Sequence, residues 1–139
     1  MIMLSDLLGQ DSIALGTATS TGRVKGVAID GHQVTRVRIG DKSIEAAAVR
    51  SFEGDVLTYD ESLGFDDSPT SDPRGILVLD MNGDGCGHLA DLGLGPSGEV
   101  EAVVLDSGDT IPGSRLMVIG SYAAVLGVDL PPPTGQPVA

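Results

Sequence analysis

The sequence predicts an all-β fold built from two small β-barrels in tandem, related by pseudo-symmetry and each containing one short helical turn. Three observations lead to this prediction. A long stretch of the chain occurs twice, the apolar residues come in short runs that alternate with polar ones, and 20 glycines in 139 residues supply many turns. Aromatic residues make up only 3% of the chain, so Val, Leu, Ile and Ala have to build the core.

The repeat has its first copy at 22–60 and its second at 87–129. Gly22 aligns with Gly87 at an offset of 65 residues, and the offset grows to 66 and then 67 along the copies. The other aligned pairs are Val24 with Leu89, Val34 with Val100, Val37 with Val103, Ile39 with Leu105, Ile44 with Ile111 and Val49 with Leu116. Because the offset changes only at turns, which tolerate insertions, the pattern indicates a duplicated β unit.

The first copy follows an apolar lead-in, 1–10, which predicts one helical turn around Leu4, Leu7 and Leu8 that plugs an open barrel end. Strands are predicted at 13–19, 23–29, 34–39, 43–45 and 56–59, with the first turn at 20–22 and a helical turn at 46–50. Asp30-Gly31 predicts a hairpin. A break in alternation near Gly26 predicts a bulge or a close backbone approach.

The second copy follows an acidic segment, 61–73, which contains Ser and Pro and predicts a linker without a core of its own. The linker separates a first domain at 1–60 from a second at 74–130. Strands are predicted at 75–81, 86–94, 100–105, 110–111, 116–119 and 123–128, with a helical turn at 112–115. The Pro-rich tail, 131–139, is predicted to be extended and disordered.

The charge of the chain restricts its partners. A formal net charge of -12 repels phosphate groups, so we expect no nucleic acid partner and no anionic membrane surface. No run of about 18 apolar residues exists, so we expect no direct membrane insertion. The single cysteine, Cys86, cannot form an intrachain disulfide, which favours a cytoplasmic location.

Three segments of the first copy, LSDLLGQ, GRVKGVAID and IEAAAVRSFEGDVLTYD, resemble the PRC-barrel domain family. This small barrel is shared by the H subunit of photosynthetic reaction centres and the ribosome maturation factor. In the second copy, GHLADLGLGPSGEVEAVVLD and IPGSRLMVIGSYAAVL keep the same order and spacing. The resemblance implies two six-stranded barrels that serve as binding or assembly modules, without shared catalytic residues or a cofactor. It also supplies, by analogy alone, the alternative of an RNA or ribosome-processing factor, against which the net charge argues.

The sharpest local motif is a possible calcium loop. Asp80, Asn82 and Asp84 precede Gly85, and Asp91 occupies the twelfth position, so oxygen atoms recur as they do around a hard cation. Against this, the twelfth residue is Asp rather than the longer Glu, and the flanking residues predict strands rather than helices. The alternative is a hairpin turn whose carboxylates are solvated.

Other metal and catalytic sites have less support. Cys86 and His88 lie near Asp84, but a zinc site needs a second pair of ligands at metal spacing, which the sequence lacks, and His32 lies in the Asp30-Gly31 turn. No Ser/His/Asp or Cys/His set can be assembled from two histidines and one cysteine so placed. We therefore expect that the protein is not an enzyme.

The two copies differ on the outer face of one strand. Arg36 and Arg38 make this face basic in the first copy, whereas the aligned Ala102 and Val104 make it apolar in the second. The basic face is either balanced by nearby acids or a docking patch for an acidic protein. Ala102 and Val104 need cover, and so does the strand 76–81, in which Ile76 and Val78 face one way and Leu77, Leu79 and Met81 the other. The second barrel is therefore expected to pack against the first or another subunit.

These patterns favour a non-catalytic interaction or assembly module with a protein partner, possibly a second copy of the chain. A calcium-binding protein is the first alternative and the RNA-processing factor the second.

Overall fold

Two curled sheets carry nearly all of the regular structure in the computed structural model, which describes residues 1–127. The prediction of an all-β fold is confirmed, since the one α-helix among these residues is the single turn Leu4–Leu7 (α1). Within the same residues, no helix has the length and apolar character needed to cross a membrane. The predicted tail, 131–139, lies outside the described residues.

The first sheet has the strand order β5-β4-β3-β2-β7-β6. Its strands are β2 (Asp11–Ala14), β3 (Thr19–Asp30), β4 (Gln33–Ile39), β5 (Lys42–Glu45), β6 (Val49–Ser51) and β7 (Leu57–Tyr59). A 3-10 turn at Ala46–Ala48 joins β5 to β6, where the sequence predicted a helical turn. The hairpin predicted at Asp30-Gly31 joins β3 to β4, with Gly31 at φ 62°.

The second sheet has the corresponding order β11-β10-β9-β8-β13-β12, and β1 (Ile2–Met3) adds to it beside β9. Its own strands are β8 (Leu77–Asp80), β9 (Gly85–Leu94), β10 (Val100–Leu105), β11 (Thr110–Pro112), β12 (Leu116–Ile119) and β13 (Ala123–Leu126). A 3-10 turn at Gly113–Arg115 joins β11 to β12. This turn also agrees with the prediction.

Strand pairing shows that the two sheets repeat one plan. β2 is antiparallel to β3 and parallel to β7, just as β8 is antiparallel to β9 and parallel to β13. Val27 pairs with Val37 in the first sheet, and Leu92 pairs with Val103 in the second. Those pairs reproduce the offsets of 65 and 66, so the alignment read from the sequence corresponds to equivalent positions in space.

The first turn of the chain was predicted wrongly. β2 ends at Ala14, and the chain turns at 15–18, with Ala18 at φ 54°, rather than at 20–22. Thr17 and Ala18 both donate backbone N–H groups to Ala14 O, at 3.3 and 2.7 Å. The sequence pattern predicted a strand through this turn because Leu15 is apolar and follows the apolar Ala14. The polar residues taken for the turn instead begin the long β3.

Both halves share one hydrophobic core, whose buried members run from Leu4 to Leu126. Between the halves, Val34 N–H donates to Gly98 O at 2.9 Å and Val100 N–H donates to His32 O at 2.7 Å. The two hydrogen bonds are equivalent, because Val34 aligns with Val100 and His32 aligns with Gly98 at an offset of 66. The contact is therefore isologous, like the interface of a two-fold symmetric dimer.

The segment before each half crosses onto the sheet of the other half. β1 precedes the first half and pairs with β9, whereas Ser71 precedes the second half and pairs with Val27 of β3. After each crossing segment, a glycine at positive φ donates its backbone N–H to the chain's own half. Gly9 donates to Val24 O and Gly75 donates to Leu89 O, both at 2.7 Å. The predicted unit 1–60 thus contributes a strand to the second sheet.

Candidate functional site

The basic residues predicted as a docking patch lie under the acidic linker. Arg36 Nη1 is 2.6 Å from Asp66 Oδ2, and its Nη2 is 3.8 Å from Glu45 Oε1. Arg38 Nε donates to Thr70 Oγ1 at 2.8 Å. The charge of this face is compensated within the chain, so its role toward an acidic partner stays a prediction.

Backbone hydrogen bonds hold the linker in this position. Ser43 and Asp66 exchange N–H···O bonds of 2.9 and 2.8 Å, and Val27 and Ser71 exchange two bonds of 2.9 Å. A Cβ on Gly26 would lie 3.1 Å from Ser71 O, so the linker makes the close backbone approach predicted there, beside a bulge in β3. The segment 61–73 is thus partly a surface layer of the first sheet rather than a free connection.

Hydrogen bonding lowers the pKa of Asp66. The backbone N–H of Ser68 donates to Asp66 Oδ1 at 2.9 Å and is the main cause, and the Arg36 guanidinium adds to it. The carboxylate is therefore retained to lower pH than an isolated Asp.

Ala102 and Val104 occupy positions on β10 equivalent to those of the two arginines. Ala102 is buried at 8% exposure, opposite Gly93 and Pro112, while Val104 is half-buried and pairs with Asp91. The observed contact between the halves runs through 32–34 and 98–100. A partner role for Ala102 and Val104 stays a prediction.

The structure separates the residues of the proposed calcium loop. Asp80 Oδ1 accepts N–H groups from Asn82 at 2.9 Å and from Asp84 at 3.0 Å, which closes the turn between β8 and β9. Asp91 lies six residues beyond Gly85 along β9, about 20 Å at the usual strand rise. Its carboxylate instead accepts Ser5 N–H at 3.0 Å and the Ser5 hydroxyl.

No three His, Cys, Asp or Glu side chains within residues 1–127 lie together in a way that could hold a metal ion. His88 Nδ1 is 3.4 Å from Asp106 Oδ2, and both side chains are largely exposed. Cys86 Sγ contacts Asp84 O at 3.7 Å. The calcium and zinc hypotheses remain hypotheses.

The candidate site that the structure adds is an apolar surface on three neighbouring strands of the second sheet. Val78, Leu116, Ala124 and Leu126 of these strands point into the core, so the residues that alternate with them face outward. A register shift in β12 between Leu116 and Val118 places Val118 outward as well, where it pairs with Val125. The outward residues, named here the outer apolar face, are Leu77, Leu79, Met117, Val118 and Val125. Met117 and Val118 are 50% and 51% exposed.

The same surface of the first sheet is largely polar, with Ile13 at the position of Leu79 as the apolar exception. Register places Asp11, Arg50, Ser51 and Thr58 at the positions of Leu77, Met117, Val118 and Val125. The hairpin tips differ likewise, because Tyr122, 78% exposed, replaces Asp55. The core positions of these strands are largely apolar in both copies, although the buried Ser12 stands where the second sheet has Val78, so the outer surface differs more than the core does.

Within residues 1–127, β12 ends the second sheet, and its outward residues carry no charge that would protect this edge. Its equivalent β6 carries Arg50, whose Nη2 lies 3.3 Å from Asp60 Oδ2, whereas β12 carries Met117 and Val118. Charged side chains keep edges from pairing with other chains, and exposed apolar edges invite such pairing. The sequence predicted the outward Leu77 and Leu79 but not the rest of the face, although the alignment at offset 67 sets Arg50 against Met117.

No family model matches this chain, and no curated protein sequence matches it either.

Proposed function

We propose that the protein is a cytoplasmic, non-catalytic interaction module that binds a protein partner through the outer apolar face. The observation that carries this proposal is that a surface which is largely polar in the first copy is apolar in the second. Contiguous exposed apolar residues on a folded domain mark interaction sites, because leaving them in water forgoes the free energy of burial. The partner is another protein or a second copy of the chain.

We further propose that the two sheets are tandem barrels of the PRC type. Support comes from six strands in each half, from the identical order of pairing, and from the 3-10 turn before the fifth strand of each half. These features agree with the sequence segments that resemble the family. A crystal structure in which either sheet remained open and flat would contradict this assignment.

A site-specific photo-crosslinker tests the binding surface. Placed at Val118 and irradiated in the producing cells, it should give adducts of discrete mass, including a doubled mass if the partner is a second copy. The matched control places the crosslinker at Ser51, the equivalent residue of the first sheet, and should give none. Equal adducts from both positions, or none from Val118, would refute the proposal.

A substitution then measures the contribution of the surface to a reconstituted complex. Val118→Asp should weaken binding of the crosslinked partner about 10- to 100-fold, because burial of a Val side chain contributes about 1.5–3 kcal/mol. Ser51→Asp should leave the dissociation constant within about twofold. An unchanged affinity for Val118→Asp would contradict the assignment of this face.

A further inference from the structure

A groove separates β3, the end of the linker and the turn between β12 and β13. Its volume is about 490 Å³, and its lining includes Ala28, Ile29, Pro69 and Ile119. Among the described residues, no ionisable side chain lines it. This groove lies beside, and is distinct from, the outer apolar face.

The equivalent groove of the other half is filled by the chain itself. There β1 adds a strand to β9, pairing Ile2 with Leu94 and Met3 with Gly93. A Cβ on Gly93 would lie 2.5 Å from Met1 Sδ, so the side chain of Met1 occupies the groove. The ligand that fits this type of groove is therefore an extended apolar segment of polypeptide.

In the open groove, β3 is paired along one side only at the corresponding positions. Register makes Ala28 and Ile29 equivalent to Gly93 and Leu94, and β4 pairs with both on that side. On the other side, the linker pairs at Val27 and then leaves β3 to cross toward β5. Within residues 1–127, no second strand pairs with Ala28 or Ile29 where β1 pairs with β9.

Charge distinguishes the occupants of the two grooves. In the filled one, Glu53 Oε1 lies 2.7 Å from the amino group of Met1. The residue equivalent to Glu53 in the open groove is Gly120, at an offset of 67. At this position the open groove thus offers no carboxylate to an amino terminus, and it suits an uncharged internal segment.

We propose that this groove binds an extended, uncharged apolar segment of a partner protein, which adds a short strand beside Ala28 and Ile29. Such β-augmentation draws affinity from main-chain hydrogen bonds and specificity from the pockets for alternate side chains. The chain's own first residues define the preferred chemistry, since they occupy the equivalent groove.

The probe is the peptide Met-Ile-Met-Leu-Ser with acetylated and amidated ends. Titrated into isotope-labelled protein, it should shift the amide resonances of 27–29 and 119–121 in a saturable manner. Ala28→Met should abolish these shifts, because its side chain would enter the space that Met1 fills in the equivalent groove. Thr110→Met, at an exposed position on β11 of the second sheet, is the control and should bind normally.

A second variant tests the charge argument. Gly120→Glu restores the carboxylate of Glu53, and Gly120 can accept a side chain because a Cβ there would have only Ala123 O nearby, at 3.8 Å. This variant should bind the peptide with a free amino terminus about two- to fivefold more tightly than the acetylated peptide. The wild type should show no such preference.

The outcomes separate this proposal from the function proposed above. Val118→Asp should leave peptide binding unchanged, because Val118 faces away from the side of β12 that carries Ile119. Absence of saturable shifts at millimolar peptide, shifts confined to other residues, or full binding by Ala28→Met would overturn the proposal. Concentration-dependent shifts of the groove without peptide would identify a second copy as the occupant and would equally overturn it.

Discussion

At the scale of single residues, the arginines of β4 show how charge fixes the path of the linker. Arg36 and Arg38 hold Asp66 and Thr70 across the face of the strand, and the side chain of Arg36 is only 23% exposed. The aligned Ala102 and Val104 offer no such anchors. Within residues 1–127, the linker covers this face of the first copy.

This arrangement predicts that acid loosens the linker. The folded pKa of Asp66 lies below the unfolded one, so its contribution to linker docking is present above the unfolded pKa of about 3.9 and is lost as pH falls through the folded pKa. The amide resonances of Ser43 and Val27 should shift over that range. In Asp66→Asn this titration should vanish, and its persistence there would assign the effect to another group.

At the scale of elements, the 3-10 turn of the second half packs more closely against its neighbouring strand than the 3-10 turn of the first half does. A Cβ on Gly113 would overlap Val100 O, a backbone atom of β10 that cannot yield easily. The equivalent residue of the first half is Ala46, where a side chain is accommodated. The second turn therefore sits closer to its strand, and this closeness requires glycine.

We expect Gly113→Ala to lower the free energy of unfolding by about 1–3 kcal/mol, the usual cost of forcing extra atoms into a packed site. Urea denaturation measures the change. Ser114→Ala, at the exposed next position, should alter stability by less than about 0.5 kcal/mol. A neutral Gly113→Ala would mean that the packing of the 3-10 turn against β10 relaxes at little cost.

At the scale of the whole molecule, exchanged segments and a common core tie the halves together. β1 belongs to the sheet of the second half, Ser71 pairs with the first, and reciprocal hydrogen bonds join them at 32–34 and 98–100. Neither half keeps its complete set of partners when the other is lost. Unfolding of one half should therefore expose core surface of the other.

The chain should accordingly unfold in one cooperative transition. Resonances of Val37 in the first sheet and Val103 in the second, both fully buried, should disappear at the same urea concentration. Separate midpoints for the two residues would show that the halves are independent domains.

Local patterns predicted much of the fold. The hairpin at Asp30-Gly31, the two helical turns and the register of Val37 and Val103 follow from short-range alternation and from backbone angles that favour particular residues. The turn at 15–18 was not predicted, because Leu15 is not a residue type that favours a chain reversal. Its conformation depends on backbone bonds to Ala14 and Tyr59.

The candidate site was predicted only in part. Outward Leu77 and Leu79 were recognised as apolar on a strand with two apolar faces, but the neighbouring β12 and β13 complete the surface only after pairing. Asp91, matched to the calcium motif by spacing, lies well along β9 and bonds to Ser5. A spacing in sequence fixes a distance in space only when the intervening residues adopt the conformation that the motif assumes.

The sequence by itself determined the duplicated strands, their order and the apolar residues of each core face, because periodicity and turn chemistry act over a few residues. Only the tertiary structure decided that the linker covers Arg36 and Arg38, that β1 crosses to β9, and that, within residues 1–127, one groove is open while its equivalent is filled. Those outcomes depend on contacts between residues far apart in the chain. Which of several possible packings has the lowest free energy depends on these long-range contacts, and a local sequence pattern carries no information about them.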